Sequence, residues 1–274
     1  MRFTPDTLAT LTDPRTVISG DLVRIPFELD RNVYEQVDRA LKEMGGRWDG
    51  RKAVRAHVFP HRIEEYLRQC LAAGEFSSRY DTGWFPTPPA LAVQVCDLAG
   101  IRPGDAVLEP SAGSGALTAE IARRGGVIDA VESDEFRADM LRQQGDCRRV
   151  FAADFLKLDP LEYEEGFDRV VMNPPFTGGL DHILHAIQFM KDDGVLVSIM
   201  TAGLMWWSDK KTEEFRDAVE EVGGEIEPLP DDSFAVCGTN VRTCLLFLPG
   251  YAGGPLRTHD WLMRQPRQLD LFAA

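Results

Sequence analysis

The segment Asn173-Pro174-Pro175-Phe176 combines residue types that suit chemistry at an amino group. Two consecutive prolines hold an extended backbone and leave their carbonyls as acceptors, and Asn173 adds a neutral side-chain acceptor. An amine bound by the Asn173 amide oxygen and the Pro174 carbonyl would direct its lone pair at an electrophilic methyl group, while Phe176 stacks on a flat ring. A rigid turn after a buried strand would explain the prolines, but not Asn173 and Phe176. We therefore expect all four residues to take part in catalysis.

A turn of small residues, EPSAGSG at 109–115, follows a predicted strand and opens a predicted helix. Ala112, Gly113 and Gly115 allow a ligand to approach the backbone, and the helix N-terminus supplies N–H groups. Glu109, at the tip of the strand, is placed to hold a ligand amine. The turn lacks the G-x-G-x-x-G pattern of dinucleotide sites, which disfavours NAD. A tight strand–helix connection is the alternative explanation.

Acidic residues end the next two predicted strands. Glu132 follows the glycine turn by about twenty residues, where a carboxylate accepts hydrogen bonds from a ribose diol. We expect Asp154 to accept a hydrogen bond from an adenine amine and Phe155 to pack on the adenine ring. Each acid alone is better explained as a helix N-cap. The series at successive strand tips favours a nucleoside ligand.

The segments that carry these motifs alternate between strand and helix over residues 84–248, which we expect to form the catalytic domain. Such alternation predicts an α/β fold, a mostly parallel sheet with helices on both faces. The last strand follows a turn at Cys237–Asn240, so we expect it to pair antiparallel as an edge or hairpin strand. The predicted strands are 106–109, 127–131, 150–152, 168–172, 195–200 and 241–248, and the predicted helices are 116–124, 135–143, 180–190 and 212–222.

Residues 1–78 form a smaller predicted α+β module with the order β-α-β-β-α. Its strands are predicted at 22–29, near Trp48 and at 54–59, and its helices at 31–44 and 63–73. The stretch between the last two strands is basic, and Arg51, Lys52 and Arg55 would contact nucleic acid there. A solvated hairpin that braces the catalytic domain is an equally good explanation.

Composition bounds these expectations. The net charge is −14, but residues 1–80 are nearly neutral and the acid lies in the remainder of the chain, so bulk charge does not exclude DNA. The five cysteines include no C-x-x-C pair, and with His182 and His185 alone on a predicted helix we expect no metal site. No apolar run is long enough to cross a bilayer, and the N-terminus lacks the apolar region of a signal sequence. We therefore expect a cytoplasmic protein without membrane contact.

In this order, the motifs resemble those of class I S-adenosylmethionine-dependent amino-methyltransferases, in particular the N6-adenine DNA methyltransferases. The resemblance covers about residues 84–248 and implies a Rossmann-like sheet whose last strand is antiparallel. The NPPF segment is shared with RNA-adenine and protein-glutamine methyltransferases, whereas the F-P-T-P segment is more characteristic of DNA enzymes. The matching segments are FPTP at 85–88, EPSAGSG at 109–115, Glu132, Asp154, NPPF at 173–176 and FAVCGTNVRTCLL at 234–246.

The resemblance implies S-adenosylmethionine as the cofactor, with Phe85, Thr87 and Pro88 along its methionine end. It implies that a target adenine is flipped out of DNA into the NPPF pocket, and that Phe234 provides a second stacking ring. Only about a hundred residues follow the NPPF segment, which leaves little room for a large target-recognition domain.

Residues 249–274 are predicted to form a loosely held tail. Within this tail, the segment Gln268-Leu269-Asp270-Leu271-Phe272 resembles the short peptide with which bacterial proteins bind the replicative sliding clamp. A tail that packs its Leu and Phe on its own domain is the alternative. Two other functions also stay open: an RNA-adenine or protein-glutamine methyltransferase, and a non-catalytic DNA- or clamp-associated protein on a methyltransferase scaffold.

Overall fold

The computed structural model describes residues 1–59, 62–76, 85–163, 165–235, 239 and 241–250. The chain divides into two compact units. The first comprises Met1–Pro86 and Ala235–Thr239, and the second comprises Thr87–Phe234 and resumes at Asn240. No helix in the described part of the chain combines the length and apolar character that a membrane span requires.

The first unit is built on a small antiparallel sheet whose four described strands have the order β1-β2-β4-β3. Its core is formed by side chains such as Leu41, Phe59 and Leu67. Its strands are β1 (Val17–Ser19), β2 (Leu22–Arg24), β3 (Arg47–Asp49) and β4 (Ala56–Val58), and its helices are α1 (Pro5–Thr12), α2 (Arg31–Glu43) and α3 (Glu64–Ala73).

Three features of this unit differ from the prediction. The strand β1, Val17–Ser19, was not predicted. The strand expected over 22–29 ends at Arg24, before Pro26, because proline has no N–H to continue a ladder. Helix α1 was not predicted, although Thr4 caps it by accepting a hydrogen bond from the Thr7 N–H and Pro5 occupies its first turn. The helices α2 and α3 begin and end within one residue of the predicted bounds.

The second unit contains a sheet whose seven described strands have the order β10-β11-β9-β8-β5-β6-β7. The pairs from β9 through β7 are parallel, and β11 and β10 are antiparallel to their neighbours. The strands are β5 (Ala106–Glu109), β6 (Val127–Glu132), β7 (Arg149–Ala152), β8 (Phe167–Met172), β9 (Met190–Thr201), β10 (Glu225–Pro228) and β11 (Thr243–Leu248). This architecture confirms the predicted Rossmann-like fold with an antiparallel last strand.

The helices of this unit also follow the predicted alternation. One helix, α4, was not predicted, and it begins at Pro89, a residue type suited to the first turn. The helix expected over 180–190 ends at Ala186, and the chain enters β9 at Met190 after a short 3₁₀ segment. The helices are α4 (Pro89–Ala99), α5 (Ala116–Arg123), α6 (Glu135–Gln144), α7 (Gly179–Ala186) and α8 (Lys210–Glu221).

The strand β11 pairs antiparallel as predicted, but of the two predicted positions, an edge strand or a hairpin strand, the edge is wrong. It lies between β9 and β10, and β10 is the terminal strand of the described sheet. The sequence Glu225-Ile226-Glu227-Pro228 has one apolar side chain and a proline, a composition typical of an edge. Such a short polar strand leaves almost no period-two signal, so it was missed.

The strand order places a topological switch point between β5 and β8. From β5 the chain moves outward through β6 and β7, and it then returns to β8 on the other side of β5. In open α/β sheets, ligands bind at the carboxyl ends of the strands that flank such a point. The glycine turn follows β5 and the NPPF segment follows β8, so both lie at this edge.

Candidate cofactor and substrate site

The NPPF segment leaves the carboxyl end of β8 and is held by a residue from the start of α4. The Asn173 Nδ2 atom donates a hydrogen bond to Thr87 Oγ1 at 3.1 Å, and Thr87 is buried. Asn173 and Thr87, which were predicted to belong to one site, therefore contact each other. Pro88 precedes α4 as its N-cap, while Phe85 belongs to the other compact unit.

Backbone hydrogen bonds and positive φ angles shape the glycine turn. The Ala112 N–H donates to the Val131 carbonyl at 3.0 Å, which ties the turn to β6. Gly113 and Gly115 have φ angles of 55° and 89°, a region that favours glycine. A Cβ on Gly115 would also lie 3.0 Å from Leu141 Cδ2. The local geometry therefore requires glycine and leaves a narrow backbone surface at the start of α5.

Glu109 ends β5 with a carboxyl group that is buried and incompletely bonded. The residue is 1% exposed, and within the described residues its Oε2 atom has no hydrogen-bond partner. Burial, followed by the charge of Glu132, raises the pKa of Glu109 well above its usual range. A cationic group beside Oε2 would remove both penalties, so the residue is suited to hold a ligand ammonium.

Glu132, at the end of β6, is already engaged with its own chain. Its Oε2 accepts from the Gly113 N–H at 2.8 Å, and its Oε1 accepts from the Asp134 N–H at 2.9 Å and from Arg137 Nη2 at 2.8 Å. The carboxylate therefore holds the glycine turn against β6. A ribose would have to share this carboxylate, which has further lone-pair sites.

The acid at the third strand tip behaves as a cap. Asp154 accepts a hydrogen bond from the Leu156 N–H at 3.1 Å, which begins a 3₁₀ turn over Phe155–Lys157. Phe155 is 3% exposed and packs 4.8 Å from the His185 ring and 5.2 Å from the Phe189 ring. Its ring is part of the core, so it does not offer the adenine-stacking surface expected from the sequence.

A cavity of about 350 Å³ lies beside the NPPF segment. Strands β8 and β9 are neighbours, with Met172 opposite Ser198, so the loop after β9 lies next to the loop after β8. The segments Pro174–Leu180 and Ile199–Thr201 line the cavity together with Leu204, Trp207 and Thr212. This volume is typical of the lower range for small-molecule pockets.

Phe176 and Phe234 contact each other, but not as two stacking surfaces. Their ring centroids lie 5.8 Å apart with an interplanar angle of 82°. Phe234 is 1% exposed, whereas Phe176 is partly exposed and lines the cavity. Phe234 therefore supports the Phe176 ring edge-on, which differs from the second stacking surface predicted for it.

The loop after β9 contains a cavity wall that sequence reasoning did not assign. The sequence alone explains Met205-Trp206-Trp207 equally well as a substrate-side hydrophobic wall and as core. Trp207 lines the cavity and is half-exposed, and Trp206 is more exposed still. The signal in the sequence was a pair of adjacent tryptophans after a predicted strand. Neither periodicity nor spacing distinguishes a cavity wall from core at such a position.

Three basic residues of the first unit, Arg51, Lys52 and Arg55, were predicted to contact nucleic acid. All three are exposed, and Arg51 forms an ion pair with Asp49. Arg51 donates to both Asp49 carboxylate oxygens, at 3.0 and 2.9 Å from Nε, and this pairing lowers the pKa of Asp49 to about 2. Lys52 and Arg55 are exposed, and Arg55 has a φ of 44°. The predicted clamp-binding segment, 268–272, lies outside the described residues.

No protein-family model matches the sequence. The chain is 38% identical over 116 residues to ribosomal RNA small subunit methyltransferase A of Thermosynechococcus vestitus, covering 40% of this chain and 42% of that protein. A protein of Methanosarcina mazei described as a probable ribosomal RNA small subunit methyltransferase A is 39% identical over 82 residues, or 29% of each chain. The chain thus spans well under half the length of these relatives.

Two solved structures share the fold. A modification subunit of a putative type I restriction enzyme from Vibrio vulnificus has a TM-score of 0.53 at 18% identity, covering 69% of this chain and 48% of that chain. A structure from a type I restriction-modification system has a TM-score of 0.54 at 19% identity, covering 82% of this chain and 57% of that one. The similarity to methyltransferases supports S-adenosylmethionine as the cofactor.

Proposed function

We propose that this chain is an S-adenosylmethionine-dependent methyltransferase that modifies the exocyclic N6 amine of adenine in DNA. The observation that carries the proposal is the hydrogen bond from Asn173 to Thr87. It orients the Asn173 amide at the carboxyl end of β8, and β8 pairs with the strand that ends in Glu109 and the glycine turn. The residues that we propose bind the amine and those that we propose bind the nucleoside thus follow neighbouring strands at the switch point.

Glu109 supports the cofactor half of this proposal. Its buried Oε2 fits the α-amino group of a bound amino acid moiety, because a charge-assisted hydrogen bond would compensate for its burial. The backbone at Gly113 and Gly115 would lie along the nucleoside. When bound, S-adenosylmethionine supplies a methyl group attached to a positively charged sulfur.

The residues after β8 support the acceptor half. With Nδ2 donating to Thr87, the amide oxygen of Asn173 is the end that accepts one substrate N–H. The Pro174 carbonyl would accept the other, which leaves the nitrogen lone pair directed at the methyl carbon. The bound cofactor would supply the methyl group, Asn173 and the Pro174 carbonyl would hold the acceptor amine, and the proton that the amine loses would pass to solvent. Positioning therefore contributes more than a strong base.

DNA and RNA are the two substrates to be separated. The similarity to rRNA methyltransferases favours RNA, whereas the folds of the restriction-modification structures favour DNA and cover more of the chain. The F-P-T-P segment also favours DNA, and so we propose DNA. We further propose that Lys52 and Arg55 contact phosphates and that residues 268–272 bind the sliding clamp.

Incubation with radiolabelled S-adenosylmethionine and plasmid DNA, total RNA or cell protein tests this function. We expect label in DNA with the wild type and a loss of roughly 100-fold or more with Asn173→Ala, as for removal of one transition-state hydrogen bond. Label only in RNA or only in protein would overturn the proposed substrate. Cofactor binding without any transfer would support a non-catalytic scaffold.

The tail needs a separate experiment. Deletion of residues 268–274 should abolish capture of the chain on immobilised sliding clamp and leave S-adenosylmethionine binding unchanged. Capture of the truncated chain at the wild-type level would remove the clamp proposal without affecting the enzymatic one.

A further inference from the structure

We infer that the cavity beside the NPPF segment takes one unstacked base of a nucleic-acid strand, and that Trp207 provides its second aromatic wall. The identification of the base as adenine rests on the proposed function, but the assignment of the wall does not. The assignment of Trp207 as the wall depends on how the loop after β9 holds its indole ring and on which other residues line the cavity.

Trp207 is held in place although its side chain remains 49% exposed. The backbone N–H of Trp207 donates to the Gly203 carbonyl at 2.8 Å, and the backbone carbonyl of Trp207 accepts from Arg216 Nη1 at 2.7 Å. The same Arg216 nitrogen donates to the Leu204 carbonyl at 3.0 Å. Arg216, from α8, therefore fixes both ends of the short segment that presents the indole.

Gly203 provides the surface on which the indole rests. A Cβ at this position would overlap three atoms of the Trp207 ring, Cε2, Cζ2 and Nε1. Gly203 is itself buried. The indole therefore packs directly on the Gly203 backbone, and any larger residue at this position would displace the ring.

The other lining residues favour a flat, uncharged occupant. Pro174, Pro175, Met200 and Leu204 contribute apolar surface, and Thr177 and Thr201 contribute hydroxyl groups. None of the described residues that line the cavity carries a charge, so a phosphate is not the fitting occupant. Aromatic rings in such a setting bind bases by stacking, which every base can provide.

Two other aromatic residues are excluded as the second wall. Phe234 is buried and contacts Phe176 edge-on. Trp206 is exposed but is not among the residues that line the cavity. Trp206 therefore offers a matched control: the same residue type, one position away, on the same loop.

The test is the binding of fluorescein-labelled single-stranded 12-mers by anisotropy, with S-adenosylhomocysteine present. One oligonucleotide contains a central adenine in an otherwise thymine strand, and the other has an abasic site at that position. We expect the wild type to prefer the adenine strand, and Trp207→Ala to reduce that preference by roughly tenfold. Trp207→Phe should retain most of the preference, and Trp206→Ala should retain all of it.

Gly203→Ala provides a second, independent variant. By displacing the indole it should reduce the preference as Trp207→Ala does, and the double variant should lose no more than either single variant. Unchanged binding of S-adenosylhomocysteine in each variant, measured by calorimetry, reports that the unit is folded.

The outcomes separate this inference from the proposed function. Equal affinity of the wild type for the adenine and abasic strands, or equal losses in Trp207→Ala and Trp206→Ala, would overturn the base pocket. A preference that depends on Trp207, without methyl transfer to any nucleic acid, would keep the pocket and overturn the proposed enzyme.

Discussion

Two buried carboxylates on adjacent strands differ in how completely they are bonded. Asp129, within β6, is fully buried, and Arg148 and Arg149 both donate to it, the former at 2.8 Å from Nη2. Glu109, at the end of β5, is 1% exposed and has an oxygen with no partner in the described part of the chain. Asp129 pairs with Leu108 of β5 within the sheet, whereas Glu109 lies at the switch point.

The pKa values follow this difference. Burial opposes ionisation of Asp129, but the hydrogen bonds from Arg148 and Arg149 outweigh it and lower its pKa. Burial raises the pKa of Glu109, and the charge of Glu132 raises it further. A buried acid with arginine partners stabilises the fold, whereas one without a cation costs stability until a ligand supplies it. We interpret Asp129 as part of the scaffold and Glu109 as part of the site.

Removing the partners of Asp129 should give the largest effect. Arg148→Ala with Arg149→Ala leaves a buried, unpaired carboxylate, and we expect the free energy of unfolding to fall by about 3–5 kcal/mol. Urea denaturation measures it. Because the pKa of Asp129 is lowered in the folded state, its stabilisation is present above the ordinary aspartate pKa and lost as pH falls through the lowered value.

An exposed pair provides the control for that experiment. Arg15 and Asp13 form an ion pair in which Arg15 is 66% exposed, so Arg15→Ala should leave the urea midpoint nearly unchanged. A double variant at Arg148 and Arg149 as stable as this control would contradict the scaffold role of Asp129.

Replacing Glu109 should have opposite effects on binding and on stability. Glu109→Gln removes the negative charge that would pair with a ligand ammonium, and we expect the affinity for S-adenosylhomocysteine to fall by about 10- to 100-fold, as for a lost charged hydrogen bond of about 1.5–3 kcal/mol. The ligand-free variant should melt at a higher temperature at neutral pH, because folding no longer has to bury a carboxyl group that is ionised in the unfolded chain. Calorimetry and thermal melting measure the two changes, and a variant that is less stable and binds normally would assign Glu109 to the scaffold.

The pH dependence of binding sharpens the same contrast. In the free protein the raised pKa keeps Glu109 protonated to higher pH, and an ammonium ligand requires the ionised form. Affinity for S-adenosylhomocysteine should therefore fall as pH is lowered through that raised pKa, and Glu109→Gln should lose this dependence. Identical pH profiles in the two proteins would show that the ligand amine lies elsewhere.

Thr87 should give the smallest effect. Thr87→Val keeps the shape but removes the acceptor for Asn173 Nδ2, which loosens the amide without deleting it. We expect kcat for methyl transfer to fall several-fold, as for one neutral hydrogen bond of about 1 kcal/mol. A variant with wild-type kcat would show that other contacts orient Asn173.

The sequence predicted correctly that the two local motifs lie at the ends of neighbouring strands. The glycine turn and the NPPF segment each follow a strand of strong apolar character, and parallel strands bring such tips to one edge. What the sequence could not show depends on packing. Phe155 is buried by residues that are distant in the sequence. Glu132 accepts a hydrogen bond from the Gly113 N–H, nineteen positions earlier in the chain. Trp207 lines a cavity together with residues Pro174–Leu180, which follow a different strand.

The most direct test of the account is nucleoside analysis of DNA from a host that lacks its own adenine methylation. Cells expressing the wild-type chain should contain N6-methyladenine in their DNA, measured by liquid chromatography with mass spectrometry, and cells expressing Asn173→Ala should not. DNA without N6-methyladenine in the presence of folded, cofactor-binding protein, or a methyl group found on another atom, would contradict the account.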